Sequence, residues 1–237
     1  MEIGGYLGKI LRVDLSKGQT SVEELDRGFI EKWIGGAGFG ARYLYEEVPA
    51  GVEWSDAENR MIWTTGPLAG SGVYGAGTFN VAAKGPMTNL AGCSQANGYF
   101  GAYLKFSGFD GIIFQGKASE LVYLCIKEGK AELRDAGNLA GKDLFEMEDA
   151  VREELGAKGK QISMYGIGPA GENLVRHASV GGDSGHFAAH NGLGAVLGSK
   201  NVKAVVTYRG KINFGIKDPE RLKENNLAMF EHAKTFG

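Results

Sequence analysis

Residues 110–155, DGIIFQGKASELVYLCIKEGKAELRDAGNLAGKDLFEMEDAVREEL, decide the architecture. Three strand-like runs, DGIIFQGK, LVYLCIK and AELRDA, follow one another across short turns. Segment 143–155 then places its apolar residues at helical spacing and carries acidic residues early, where a helix N-terminus favours them. Strands in tight succession followed by a helix predict an α+β chain, and no repeat is visible in this middle portion.

Toward the N-terminus, 99–106 reads as a helix entered from Asn97 and Gly98, and an unsatisfied helix N-terminus is a natural anion site. Before it lies GPMTNLAGCSQANG (85–98), read as a long polar, glycine-bearing loop; loops of that length usually carry function. This is the first candidate phosphate cradle. Segments 61–65 and 78–84 read as strands around the loop GPLAGSG, while 27–33 and 41–48 read as short helices on either side of a glycine cluster at 35–40. KILRVDL (9–15), the turn SKGQ and TSVEEL predict an opening antiparallel hairpin.

Toward the C-terminus come a short strand, ISMYG, the segment GPAGENLVRHASVGG, the stretch DSGHFAAHNGLGAVLGSKN, and a strand from Val202. Residues 185–201 form the second candidate cradle. DPERLKENNLAMFEHAKTF reads as a capped helix with Pro219 in its first turn, and the expectation is a larger protein continuing past it.

The 237 residues, 43% of them hydrophobic, are enough for one large domain. The balance of 26 basic against 28 acidic residues leaves no basic stripe, so nucleic acid is not an expected partner. No run approaches the roughly 20 apolar residues of a membrane span, no targeting segment is visible, and a cytoplasmic protein is expected. Cys93 and Cys125 supply neither a disulfide framework nor the four thiolates of an iron–sulfur cluster. The 39 glycines have no collagen-like period, and glycine in that number implies surfaces lined by backbone.

Gly166, Gly168 and Gly171 spell GxGxxG after a strand, but Pro169 sits in the turn and only nine residues separate the motif from Gly181 and Gly182. A nucleotide site there is not supported. His186 and His190 stand four apart as zinc ligands on a helix do, yet glycines flank them and Asp183 is the only nearby acid, so loop or phosphate contacts fit better. No GxSxG occurs, and Ser184 lacks an identifiable base.

In order and spacing, GKILRVDLSKG, WIGGAGFGARYL, TGPLAGSG, NGYFGAYLKFSGFDGIIFQGKA, YGIGPAGENLVRHASV and GHFAAHNGLGAVLGSKNVKAV resemble the N-terminal domain of the aldehyde:ferredoxin oxidoreductase family, across 5 to about 215. The resemblance implies two β-sheets forming a saddle-like base with a few flanking helices. It implies a pterin-binding domain at 1–210, then a linker and helix at 211–237 leading to a missing C-terminal portion. The implied activity is tungsten-dependent oxidation of aldehydes to carboxylic acids with ferredoxin as acceptor. Two pterin dithiolenes would hold the tungsten (tungstopterin), Mg2+ would bridge their phosphates, and a 4Fe-4S cluster would come from the missing portion. The implied partners are ferredoxin, the C-terminal domains or a partner subunit, and a second copy of the chain as a homodimer.

Carried over position by position, the magnesium-binding backbone carbonyls fall on Gln95 and Ala188. The cofactor contacts fall on Thr78, Lys84, Gln95, Ala96, Asn97, Gly98, His186, Phe187, Ala188, Ala189, His190, Asn191 and Gly192. Thr78, Phe187 and Asn191 stand where the family pattern has arginines, which removes three fixed cations from a phosphate site. Lys84, His186, His190 and Asn191 are the candidate replacement donors. Catalytic groups would lie outside this chain. The other reading is a stand-alone pterin-binding or assembly module without activity, whose free face would expose apolar surface.

Overall fold

The structure, a computed structural model, describes residues 3–236. Met1, Glu2 and Gly237, at the ends of the expected domain and tail, lie outside the described residues. The first half contains β1 (Lys9–Asp14), β2 (Gln19–Glu24), α1 (Arg27–Trp33), α2 (Ala37–Glu47), β3 (Met61–Thr64), β4 (Phe79–Lys84), β5 (Ala91–Ala96), α3 (Phe100–Phe106) and β6 (Gly111–Gln115). The second contains β7 (Val122–Lys127), β8 (Lys130–Asp135), α4 (Leu144–Leu155), β9 (Ile162–Gly166), α5 (Pro169–Glu172), β10 (Val180–Gly182), β11 (His186–Ala188), α6 (Leu193–Ser199) and β12 (Val202–Tyr208), after which comes α7 (Pro219–Lys234).

The strands form two mixed six-stranded sheets, β2-β1-β6-β3-β4-β5 and β8-β7-β12-β9-β10-β11, so the expected α+β, two-sheet base with flanking helices is what the chain adopts. A repeat is present that the sequence reading does not find. Each sheet is a hairpin (β1–β2, β7–β8), a three-strand antiparallel run (β3–β5, β9–β11) and a last strand inserted parallel to the hairpin's first (β6 on β1, β12 on β7). The second half is the first shifted by six strands. Local sequence follows: Gly-Pro-Leu-Ala-Gly after β3 answers Gly-Pro-Ala-Gly after β9, and FGAYL opening α3 answers LGAVL opening α6.

Strand alternation explains the layering. Leu11 and Val13 of β1 face a central core shared with Leu124 and Ile126 of β7 and with Tyr165 and Val205. Ile10 faces outward, under Phe39, Tyr43 and Leu44 of α2. On the far side Tyr123, Met164 and Val206 lie beneath Met147 and Val151 of α4. The two sheets therefore pack face to face between outer helices, and α3 and α6 place Phe100, Leu104, Leu193 and Leu197 in the central core.

α4 is the helix foreseen at 143–155, held by a reciprocal cap between Asp143 and Glu146 and ended by the left-handed Gly156. α7 begins as expected, with Asp218 capping and Pro219 in the first turn. Two segments differ from the reading. The long loop at 85–98 contains β5, a strand of Ala, Gly, Cys, Ser and Gln without β-branched or aromatic residues, which pairs with β4 through a turn at left-handed Asn89. Segment 185–201 contains β11 and α6, whose glycines pack close against neighbouring backbone. After β9, GxGxxG opens a single turn of helix and an antiparallel return, not a dinucleotide fold. Among the described residues no helix is long and apolar enough to cross a membrane.

Candidate functional site

β5 and β11 are the edge strands of their sheets, and they occupy equivalent places in the two repeats. They lie side by side, so the two cradles picked out at 85–98 and 185–201 meet along one seam. In β5 the alternation buries Ser94 and Ala96 and exposes Cys93 and Gln95. Ser94 Oγ accepts the His190 N–H (3.0 Å), and Asn191 Nδ2 donates to the Cys93 carbonyl (2.7 Å). Asn191 sits at φ 67°, a left-handed conformation that asparagine tolerates.

At the other end of the seam, Thr78 Oγ1 donates to Asn97 Oδ1 (2.5 Å), and the buried Tyr165 hydroxyl donates to the Asn97 carbonyl. The Tyr99 N–H donates to Asp183 Oδ2 (2.7 Å). The N-terminus of α3, read as an open anion site, thus has one of its donors taken by a protein carboxylate. Gly98 between them has φ 100°, and a Cβ there would stand 2.5 Å from Asp183 Oδ2, so no other residue fits.

Gln95, Asn97, His186, Phe187, Ala189, His190 and Asn191 are exposed along the seam; Ala96, Ala188 and Gly192 are buried in it; Thr78 and Gly98 are half-buried at its end. Lys84 is not part of it. It lies at the opposite end of β4 from Thr78, pairs in register with Ala91, and donates its ammonium to the Val52 carbonyl. Beneath the seam the environment is acidic. Burial raises the Glu148 carboxyl, with Asp183 adding to the shift, and burial raises the Tyr165 hydroxyl, with Asp183 and Glu148 adding to it. Among the described residues no cluster of three or more His, Cys, Asp or Glu side chains is arranged to hold a metal ion.

Sequence reasoning passed over Tyr165 and Ser94 and weighed Asp183 only as a metal ligand. Tyr165 looks like any buried strand residue, and nothing local signals that its hydroxyl crosses between sheets.

Two matched sheets meeting along a glycine-rich, backbone-lined seam define a platform domain, and known proteins give that platform a family. Residues 10–209 match the aldehyde ferredoxin oxidoreductase N-terminal domain. The tungsten-containing aldehyde ferredoxin oxidoreductase of Pyrococcus abyssi is 43% identical over 220 residues, covering 93% of this chain and 36% of the relative. The aliphatic sulfonate oxidoreductase, WOR-like subunit, of Pyrococcus furiosus is 35% identical over 233 residues, covering 92% and 37%. Among solved structures, the active site complex BamBC of benzoyl coenzyme A reductase, in complex with 1,5-dienoyl-CoA, superposes with a TM-score of 0.93 at 35% identity, covering 98% of this chain and 35% of that one. The chain belongs to the aldehyde ferredoxin oxidoreductase family, as its N-terminal domain, and spans about a third of the length of these relatives.

Proposed function

We propose that this chain is the cofactor-binding N-terminal domain of a cytoplasmic tungsten-dependent oxidoreductase that oxidises aldehydes to carboxylic acids and passes the electrons to ferredoxin. Residues 1–210 form the pterin-binding domain, and 211–237 lead toward the remainder of the enzyme. The observation that carries the reading is the pairing of the two cradles: edge strands in equivalent repeat positions meet at one seam. A cofactor made of two like halves, each with a phosphate, finds two like strand ends there.

The residues present fit such a group in part. Ala96 and Ala188 turn their side chains into the central core and Ala189 is short, which leaves backbone within reach of flat rings, whereas Gln95, His186 and Phe187 stand out from the seam; the Gln95 and Ala188 carbonyls, which would hold the Mg2+, belong to neighbouring edge strands. The group would supply the two-electron chemistry at its metal. This chain's residues would orient it, with the exposed His186 and His190 as donors toward its phosphates in place of the arginines that the family pattern has at positions 78, 187 and 191. Asn191 gives one amide N–H to the Cys93 carbonyl and Lys84 one ammonium N–H to the Val52 carbonyl, so each keeps further donors, those of Lys84 at the opposite end of β4 from Thr78. The iron–sulfur cluster belongs to the rest of the enzyme, because Cys93 and Cys125 are two free thiols, one exposed and one buried.

Metal and pterin analysis of the full-length protein, purified anaerobically, tests the reading. Tungsten with two pterins per chain, and aldehyde-dependent reduction of ferredoxin, are expected. A well-folded full-length protein with neither metal nor pterin would make the seam a binding or assembly surface. Turnover of a sulfonate or a coenzyme A thioester instead of an aldehyde would keep the cofactor assignment and overturn the substrate.

A further inference from the structure

Asp183 has no role in the reading above, yet it gathers more partners than any residue of the seam. It lies in the tight turn between β10 and β11, at φ 44°, followed by Ser184 at φ 61°. Two successive non-glycine residues in the left-handed region are strained and persist only where their surroundings hold them. Here they are held. The single Ser163 hydroxyl proton is shared between the two Asp183 carboxylate oxygens (2.8 and 2.7 Å from Oγ), the Met164 N–H reaches Oδ1 (3.3 Å), and Glu148 of α4 accepts the Ser184 N–H (3.0 Å). The remaining partner belongs to the first half of the chain: the N–H of Tyr99, at the start of α3, on Oδ2.

Tyr165 repeats the pattern from the strand beside it. Its ring packs against Phe79 and Phe100 of the first half, at centroid distances of 4.7 and 5.6 Å, and its hydroxyl ends on the Asn97 carbonyl. Segment 97–99 is therefore fastened to the second half by two side chains anchored in the β9–β11 sheet. At the far end of the seam the fastening runs both ways: the Asn191 side chain reaches the Cys93 carbonyl, and the Ser94 side chain of the first half accepts the His190 N–H.

We propose that Asp183 and Tyr165 are positioning residues that clasp the first cradle to the second, so that Gln95 and Ala188 keep a fixed separation and the two cradles loosen or tighten as one unit. The clasp rests on the pterin reading only for its purpose; its mechanics are a property of the chain. A carboxylate accepting a backbone N–H is among the stronger protein hydrogen bonds, and the fully buried Tyr165 hydroxyl would be left unpaired if its bond to Asn97 opened, so each contact resists opening.

Hydrogen exchange on the full-length enzyme, with and without its cofactor, tests this. Tyr165→Phe removes one bond to Asn97 and nothing from the second cradle, while Asn191→Gly keeps the left-handed backbone and removes the bond to Cys93 together with the side chain's packing over Gly85 and Gly92. In Tyr165→Phe, exchange is expected to rise about tenfold not only at 97–101 but also at 184–192; in Asn191→Gly it is expected to rise at 97–101 by a similar factor, with β12 unchanged in both. Asp183→Asn should raise both segments, and all three should lose cofactor faster on dialysis. A rise confined to the segment that lost its own bond would overturn the clasp and leave Asp183 a local turn residue. Exchange in the cofactor-free protein decides this whichever way the pterin analysis of the wild type falls, so the two readings fail separately.

Discussion

Lys200 is fully buried, and among the described residues no carboxylate stands against its ammonium, which donates to the Gly116 and Ala57 carbonyls at 3.0 and 3.3 Å. Burial pushes its pKa down to about 7, with Arg60 and Lys117 adding to the fall and Glu58 opposing it. The folded value lies below the unfolded one, so between about pH 7 and 10 the unfolded chain binds a proton that the native state does not, and stability rises with pH by about 1.4 kcal/mol per unit. Lys200→Met abolishes that slope and leaves two carbonyls short of a donor. In urea unfolding at pH 7, 8 and 9, the deficit of the variant relative to wild type should widen with pH; a constant deficit would mean that the native lysine stays charged. The seam carries a second residue-scale prediction. His190→Ala keeps the N–H bonded to Ser94 but removes the imidazole, so cofactor affinity, read as tungsten retained by the full-length enzyme after dialysis, should fall about tenfold or more, in keeping with about 1.5–3 kcal/mol for a hydrogen bond to a charged group. Unchanged tungsten would assign the phosphate to other donors. Of the residues foreseen at the seam, the small ones were legible because only small residues tolerate close backbone. Asp183 and Tyr165 were not, because their partners lie 84 and 68 positions away.

Among the elements, those with strong local signals stand where the sequence puts them. α4 is one: Asp143 accepts from Phe145 N and Glu146 N (2.8 and 2.9 Å), and the Glu146 side chain returns to Asp143 N (3.0 Å). Asp143→Ala should cost about 1 kcal/mol, seen as a lower urea midpoint with an unchanged slope; a changed slope would place the effect in the denatured state instead. The elements that escape reading are those whose stability comes from their neighbours. β5 is built of small residues and is a strand because β4 pairs with it along its whole length. β10 and β11 are three residues each, too short for a period to show. α6 carries Gly194 and Gly198, helix-weakening residues, because its backbone runs against the Ser179 and Gly171 carbonyls. The candidate site lies among these weakly signalled elements, which is why its two halves were visible as glycine-rich segments while their edge-strand character was not.

At the scale of the whole molecule, the topological repeat raises the question of whether its halves are independent units. The central core answers it physically. Trp63 and Phe79 of the first sheet pack with Phe100 at 5.2 and 4.7 Å, and Tyr165 of the second sheet closes edge-on against both phenylalanines. Separating the halves would expose this aromatic cluster together with Leu11, Val13, Leu124, Ile126 and Val205, leaving each sheet with one bare face. Because that exposure opposes a state with one half folded, unfolding should be a single cooperative event. The chain carries its own probe of this. Its three tryptophans, Trp33, Trp54 and Trp63, all lie in the first half, whereas the strands and helices seen by far-UV circular dichroism are distributed over both. Fluorescence and circular dichroism should give the same urea midpoint and slope; a dichroism transition that continues after the fluorescence change is complete would show the second sheet surviving the first, and the repeat would then be two domains joined at a seam.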